Sequence, residues 1–305
     1  MDYIEQYLTE ISNRRLSAYT YKSYKTDLLQ FEEFLKYRNV ALEEAQNGDI
    51  KFYMSDLLRH EQSRRTISRK LSALRTFFRF LSKTKVREDD PTIGINPPKL
   101  EKLLPKFLEP QETLDLLLKP DIKTPLGARD SAILETLYSG GLRVAELVSL
   151  KITDINFAER DMQAIRIIGK GNKERTVVLG SKAMEAIIRY VESGRPVLAK
   201  NAGKEESDKL FLNRFGTEIT TRSIARMLHK YIMLTSGKSG VSPHTIRHTF
   251  ATHMINNGAD LRTLQQLLGH SSLSTTEVYT HVTHKRKHDV YSDAHPRSKR
   301  DKGQF

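Results

Sequence analysis

The stretch "SPHTIRHTFATH", residues 242–253, places three histidines and an arginine on one predicted short helix. A metal site is the first chemistry to test. His244 and His248 are four apart and share a helix face. A metalloprotease pattern needs Glu directly after the first His, and here that residue is Thr245. No nearby acid completes a ligand set, so the pattern argues against a metal. His248 and His253, set among apolar neighbours, read as hydrogen-bonded core residues. His244 and Arg247 are three apart and point the same way. A guanidinium offers a rigid donor fork to phosphate oxygens. A histidine beside it can donate a hydrogen bond or move a proton near neutral pH. By itself this pair is common by chance.

Other groups accumulate around it. Downstream, "LLGHSSLSTTEVYTHV" puts His270 at a helix end and Tyr279 nine residues later. Upstream, "GGLRVAEL" puts Arg143 just after a glycine break, and Lys170 sits at the tip of a predicted hairpin. Two arginines, two histidines, a lysine and a tyrosine make a kit for phosphodiester transesterification. Read singly, Arg143 is a helix cap, Lys170 a loop charge and Tyr279 a packing group. There are no clustered carboxylates of the kind that hold a catalytic Mg²⁺, so no metal and no cofactor is expected.

The elements that must position these groups are legible from punctuation. Ser242-Pro243 is an N-cap followed by proline at the first helical position, and Asn257-Gly258 ends that helix. Asp260 can cap "LRTLQQLL", which Gly269 terminates, and Ser274-x-x-Glu277 is a capping-box pattern ahead of Tyr279. "PLGARDSAILETLYSGGL" reads as a helix stopped by Gly140 and Gly141. Over residues 162–180, two β-branched runs flank the turn "GKGNKE", a hairpin signal. Residues 181–193 look helical, and "GKEESDK", 203–209, reads as an exposed loop.

Residues 1–83 read as helix after helix. In "SRRTISRKLSALRTFFRFLSK", residues 63–83, Ile67, Leu71, Leu74, Phe78 and Leu81 fall on one stripe. Arg65, Arg69, Ser72, Thr76, Arg79 and Lys83 fall on the opposite face. Two readings of that face stand: solvated charge on a packed helix, or a face laid against DNA. Arg222 and Arg226 in "TTRSIARMLHK" pose the same choice. Between these regions, Pro91, Pro97, Pro98 and Pro105 mark an extended basic linker. The boundaries are therefore a helical N-terminal domain over 1–90, a linker over 91–106 and a second domain over 107–305.

Composition bounds the partners. The chain has 305 residues, a formal net charge of +13 and a sequence pI near 9.7. That surplus favours a polyanion, nucleic acid before membrane. No apolar run is long enough to span a bilayer, and "MDYIEQYLTE" carries acids where a signal peptide needs a basic start. There is no cysteine, which removes disulfides, thiolate nucleophiles and zinc–cysteine modules. A cytoplasmic protein without a membrane partner is expected.

The segments GGLRVAEL, GKGNKER, HTIRHTFATH, LGHSSLSTTEVYTH and AHPRSKR occur in the order and at the separations of the tyrosine recombinases, the phage integrase family, and the chain resembles that family over essentially its whole length. In texture it is similar to the family's bacterial Xer type. The resemblance implies a mainly α fold of two domains: an all-helical, SAM-like core-binding domain, then a mixed α/β catalytic domain with a small antiparallel sheet and a C-terminal tail. It implies that Tyr279 is the nucleophile, leaving a 3′-phosphotyrosine and a free 5′-hydroxyl without ATP. Arg143 and Arg247 correspond to the pair that grips the non-bridging oxygens. Lys170 corresponds to the general acid, His244 to the proton acceptor for the tyrosine and His270 to a second donor to the phosphate. Glu146 corresponds to an acid that supports the site.

The same resemblance implies two domains clamped around duplex DNA. It implies a homo- or hetero-tetramer on two DNA sites, with a paired Xer recombinase and a septal DNA translocase in a chromosome-dimer setting. The tail after Tyr279 is then expected to dock on a neighbouring chain through Val290 and Tyr291. Rival readings are a mobile-element integrase or plasmid resolvase with the same chemistry, a type IB topoisomerase, and a catalytically silent DNA-binding protein of this fold.

Overall fold

The computed structural model describes residues 2–12, 18–99, 107–158, 161, 163–168, 174–203, 207–268, 291 and 293–297. The chain divides into two compact units, Met1–Leu103 and Leu104–Phe305. It is mainly helical, with one two-stranded antiparallel sheet among the described residues.

The first unit is built on α1 (Tyr3–Ser12), α2 (Ala18–Lys36), α3 (Asn47–Arg59) and α4 (Arg64–Lys83). Ser63 caps α4 by accepting the Thr66 amide at 3.1 Å, which satisfies one orphan donor of the first turn. The stripe Ile67, Leu71, Leu74, Phe78 and Leu81 is buried as its spacing predicts, and α4 packs on the other three helices. Phe31 meets Tyr53 at 5.0 Å and Phe78 at 6.3 Å between ring centroids, so aromatic packing ties α2, α3 and α4 together.

The opposite face of α4 is less uniform than the helical wheel suggests. Arg65, Arg79 and Lys83 are exposed. Arg69 instead pairs with the buried Asp27, which also takes Lys70 Nζ at 3.1 Å. Thr76 accepts from the Tyr7 hydroxyl at 2.7 Å.

The expected linker also begins differently. Residues 91–94 form a turn, Ile95 is buried in the helical core, and Asn47 Nδ2 donates to the carbonyls of Pro91 and Ile93 at 2.9 and 3.0 Å. Arg64 donates to the Lys99 carbonyl at 3.0 Å. Proline removes an N–H donor but leaves the carbonyls as acceptors, and the helical unit's side chains take them.

The second unit is arranged around α6 (Pro125–Gly140), with α5 (Pro110–Leu118) before it and α7 (Val144–Ser149) after it. Thr124 caps α6 by accepting the Gly127 amide at 3.0 Å. Every residue from Gly127 to Gly140 is buried. Such a helix has no polar face to reveal it, which is why its ends were more legible than its packing. Its buried charges are paired: Arg129 with Asp130 at 2.7 Å, and Asp130 with the Tyr231 hydroxyl at 2.9 Å.

Strands β1 (Gln163–Ile168) and β2 (Glu174–Leu179) pair from Gln163↔Leu179 to Ile168↔Glu174. β1 alternates buried and exposed, with Ile165 and Ile167 inward. Helix α8 (Ser181–Arg189) passes through a wider turn, Tyr190–Gly194, into α9 (Arg195–Ala199). The unit continues with α10 (Thr221–Met233), α11 (Pro243–Asn256) and α12 (Leu261–Leu268). Ser242 and Pro243 open α11 as predicted, and Asp260 accepts the Thr263 amide at 2.8 Å at the start of α12. The predicted capping box at Ser274 and Glu277 lies outside the described residues.

Candidate active site

Helix α6 ends where Gly141 turns the chain with φ of 54°. A Cβ at Gly141 would lie 2.5 Å from the Phe250 ring, so both the backbone hand and the space require glycine. Arg143 follows as the N-cap of α7. Glu146, in the first turn, accepts the Arg143 amide at 2.7 Å with Oε2 and the Arg143 guanidinium at 2.9 Å with Oε1. A reciprocal cap thus fixes both the helix start and the arginine.

Helix α11 delivers Arg247 to the same place. One of its nitrogens donates to the Gly141 carbonyl at 2.6 Å and the other to the Leu268 carbonyl. The first is also 4.0 Å from Glu146 Oε2. Strand β2 delivers Arg175, which donates to Glu146 Oε2 at 2.8 Å and to the Leu267 carbonyl. Arg175 Nε is buried and has no acceptor among the described residues.

Three guanidiniums therefore surround one carboxylate, which leaves two positive charges in excess. The Glu146, Arg247 and Arg175 side chains are only 4%, 9% and 10% exposed, whereas Arg143 is 32% exposed. Arg143 is the member that an incoming anion reaches first. Burial pushes the Glu146 carboxyl up, but the hydrogen bonds from Arg175 and Arg143 outweigh it and hold the group below the usual glutamate range. Burial, followed by the charges of Arg143 and Arg175, lowers the Arg247 guanidinium to about 10, so it stays charged at neutral pH. An anion with two free oxygens, such as a phosphodiester, suits this excess charge and its fork geometry. His244 is exposed one turn before Arg247 on α11.

Of the residues singled out in the sequence, Arg143, Glu146 and Arg247 are thus brought together from elements far apart in the chain. Lys170, His270 and Tyr279 lie outside the described residues. Arg175 was not singled out. It lies in "GKGNKER", but nothing in its local pattern distinguishes a strand arginine that turns inward to a carboxylate from one that faces water.

The other two histidines of α11 are partly or fully enclosed. His253 is buried, accepts from the Tyr138 hydroxyl at Nδ1 (2.9 Å) and donates from Nε2 to the Leu108 carbonyl (2.9 Å), which fixes its tautomer. Burial lowers its imidazole below the usual range. His248 is partly buried, and its ring lies 6.5 Å from that of Phe107. Among the described residues no group of three or more His, Asp or Glu is placed to hold a metal ion.

The described tail residues pack on α6 and α11. Tyr291 is buried within its own chain, with its hydroxyl on Ser139 and its ring stacked 4.5 Å from that of His295. Arg297 pairs with the buried Glu135, and Asn257 Nδ2 donates to the Ala294 carbonyl at 3.0 Å. These contacts supply partners to the buried polar groups of α6. Val290 lies outside the described residues. Arg222 and Arg226 are exposed on α10, opposite the buried Ile224, Met227, Leu228, Tyr231 and Ile232. No helix among the described residues is long and apolar enough to cross a membrane.

Comparison with known proteins gives the following. The family model "Phage integrase family" matches residues 106–286, and "Phage integrase, N-terminal SAM-like domain" matches residues 4–85. Tyrosine recombinase XerC of Anoxybacillus flavithermus is 41% identical over 286 residues, covering 93% of this chain and 94% of the relative. Tyrosine recombinase XerC of Bacillus subtilis is 41% identical over 286 residues, covering 93% of each chain. Among solved structures, the pre-cleavage complex of XerH site-specific recombinase with difH substrate is 26% identical with a TM-score of 0.66, covering 86% of this chain and 76% of that one.

Proposed function

This chain belongs to the phage integrase family as a tyrosine recombinase, and we propose that it exchanges DNA strands through a 3′-phosphotyrosine intermediate, resolving chromosome dimers at a dif-like site. The observation that carries the chemistry is the convergence of Arg143 and Arg247 on Glu146, with the two arginines supplied by different helices. The near-complete coverage by XerC relatives, and the leaning of "TPLGARDSAILETLY" and "AHPRSKR" to that subtype, favour the chromosomal role over a mobile-element one.

In this reading the phosphate settles with its non-bridging oxygens on Arg143 and Arg247. The Tyr279 phenol oxygen attacks phosphorus and its proton passes to His244. The bond from phosphorus to the 5′ oxygen breaks, and Lys170 protonates the departing oxygen. His270 donates to the phosphate as negative charge develops on it. The product is a 3′-phosphotyrosine and a 5′-hydroxyl. Attack by a 5′-hydroxyl from the partner strand reverses the step, and the phosphodiester energy is kept in the covalent link. Glu146 holds the arginines and makes no contact with the reacting atoms.

Duplex DNA is the partner, in a tetramer of identical chains or with a paired Xer recombinase, and a septal DNA translocase is the proposed activator. Arg65, Arg79 and Lys83 on α4, and Arg222 and Arg226 on α10, are the proposed DNA contacts. Arg69, also a candidate from its position on α4, is paired with Asp27 and is not among the proposed contacts.

The test is a nicked suicide duplex carrying a dif-type site, mixed in EDTA with wild type and with Tyr279→Phe, with and without the paired recombinase. A covalent protein–DNA band that Tyr279→Phe abolishes is the expected result. DNA binding with no band under any of these conditions sinks the recombinase reading.

A further inference from the structure

The C-terminus of α12 is held by two guanidiniums from two different elements. Arg247, from α11, donates to the Leu268 carbonyl, and Arg175, from β2, donates to the Leu267 carbonyl. The last carbonyls of a helix have no partner within it, so cations at this end both satisfy acceptors and complement the helix dipole. Arg247 already has a role in the proposed chemistry. Arg175 has none, yet its other nitrogen makes the 2.8 Å bond to Glu146 Oε2.

We infer that Arg175 is a positioning residue that sets the phosphate-gripping arginines in register with the C-terminus of α12. The inference rests on the strand-transfer reading above. Three connections carry it. Through Glu146, Arg175 acts on Arg143, because the carboxylate that it binds is the one that aims the Arg143 guanidinium at 2.9 Å. Through Leu267, it fixes the residue two positions before Gly269 and three before His270. Through its own backbone in β2, paired with Ile167, it ties both to the hairpin whose turn contains Lys170.

No other side chain among the described residues links β2, Glu146 and the end of α12. Its burial explains why the link is stiff. A guanidinium with 10% exposure cannot exchange these partners for water without leaving the protein interior. Its charge matters as well as its shape. With Arg175 removed, Glu146 Oε2 loses a donor, and Arg247, now 4.0 Å away, becomes the nearest remaining guanidinium outside α7. Arg247 is then drawn towards the carboxylate and away from the phosphate.

The test compares wild type, Arg175→Ala and Arg175→Lys on the nicked suicide duplex under single-turnover conditions. Covalent-complex formation is followed across DNA concentrations, so the rate at saturation is separated from the concentration giving half that rate. Arg175→Ala is expected to slow the saturated rate about 100-fold, the scale of a small misplacement of catalytic groups, while the half-saturating concentration changes less than about 3-fold. Arg175→Lys keeps the charge but not the two-pronged reach, and is expected to recover only part of the rate.

A duplex with a methylphosphonate at the scissile position distinguishes positioning from general damage. That linkage carries no negative charge, so misaimed arginines matter less, and the gap between wild type and Arg175→Ala is expected to shrink about tenfold. An unchanged saturated rate in Arg175→Ala overturns the inference. So does a defect of equal size on the phosphate and methylphosphonate substrates, which marks a merely structural residue. If Arg175→Ala fails to fold, Arg175→Lys on the two substrates decides in the same way. Absence of a covalent band with wild type overturns the strand-transfer reading itself, and this inference with it.

Discussion

Glu146 binds Arg143 twice, taking its backbone amide at 2.7 Å and its guanidinium at 2.9 Å. One carboxylate thereby starts a helix and aims a cation. Glu146→Gln preserves the shape and removes the charge that balances three guanidiniums. Covalent-complex formation is expected to fall about 10- to 100-fold, with DNA affinity changed little, as measured on the suicide duplex. The folded-state pKa of Glu146 is depressed. Its contribution to stability is therefore present above the unfolded value, about 4.3, and is lost as pH falls through the folded value. Melting curves of wild type and Glu146→Gln should converge on acidification below that point.

His295 gives a test of the same sign in a higher pH range, because its folded-state pKa is also depressed but from an imidazole value. Burial lowers its imidazole to about 3. The unfolded chain binds the proton and the folded chain does not, so this group costs stability progressively as pH falls from about 6.5 towards the folded value, by up to about 1.4 kcal/mol per pH unit. His295→Phe keeps a ring to stack on Tyr291 and removes the titration. The melting temperature of the variant should decline less steeply than that of wild type between neutral pH and pH about 4. Parallel curves would show that His295 does not carry this dependence.

Gly141 is held by sterics on both sides of its function. Its φ of 54° and the 2.5 Å approach of Phe250 to any Cβ make Gly141→Ala destabilising. A loss of about 1–3 kcal/mol is expected in denaturant unfolding. Cleavage should fall further than stability alone explains, because the Gly141 carbonyl is an acceptor for Arg247.

Arg79 and Arg222 are exposed cations on different units. Replacing either by alanine should weaken DNA binding at all sequences alike and reduce the slope of log affinity against log salt by about one, if each neutralises a phosphate. Equal slopes for variant and wild type would return that residue to plain solvent exposure.

The legible part of this chain followed from local rules. The α4 stripe, the Ser242-Pro243 start, the hairpin strands and the glycine break before Arg143 each depend on a period or a cap within a few residues. The pairing of Arg143 with Arg247 through Glu146 is long-range, and it was anticipated only because the segment order resembles a known family. Arg175, Lys70 and Arg297 were missed for one reason. Each is a long cation that turns inward to a buried carboxylate, Glu146, Asp27 or Glu135, and such pairing leaves no trace in the residue's own neighbourhood. The packing of residues 91–99 on the helical unit is illegible for a related cause: proline density shows what a segment cannot donate, but not which side chains take its carbonyls.

Helix α6 has a further consequence for how this protein can vary across generations. With every residue from Gly127 to Gly140 enclosed, almost any single change there meets a neighbour that was fitted to the old side chain. Change in α6 is therefore expected to be inherited in matched pairs, such as Asp130 with Tyr231 or Glu135 with Arg297. The exposed cations of α4 and α10 carry no such obligation. Those surfaces can change one residue at a time, whereas a change within α6 calls for a second one beside it.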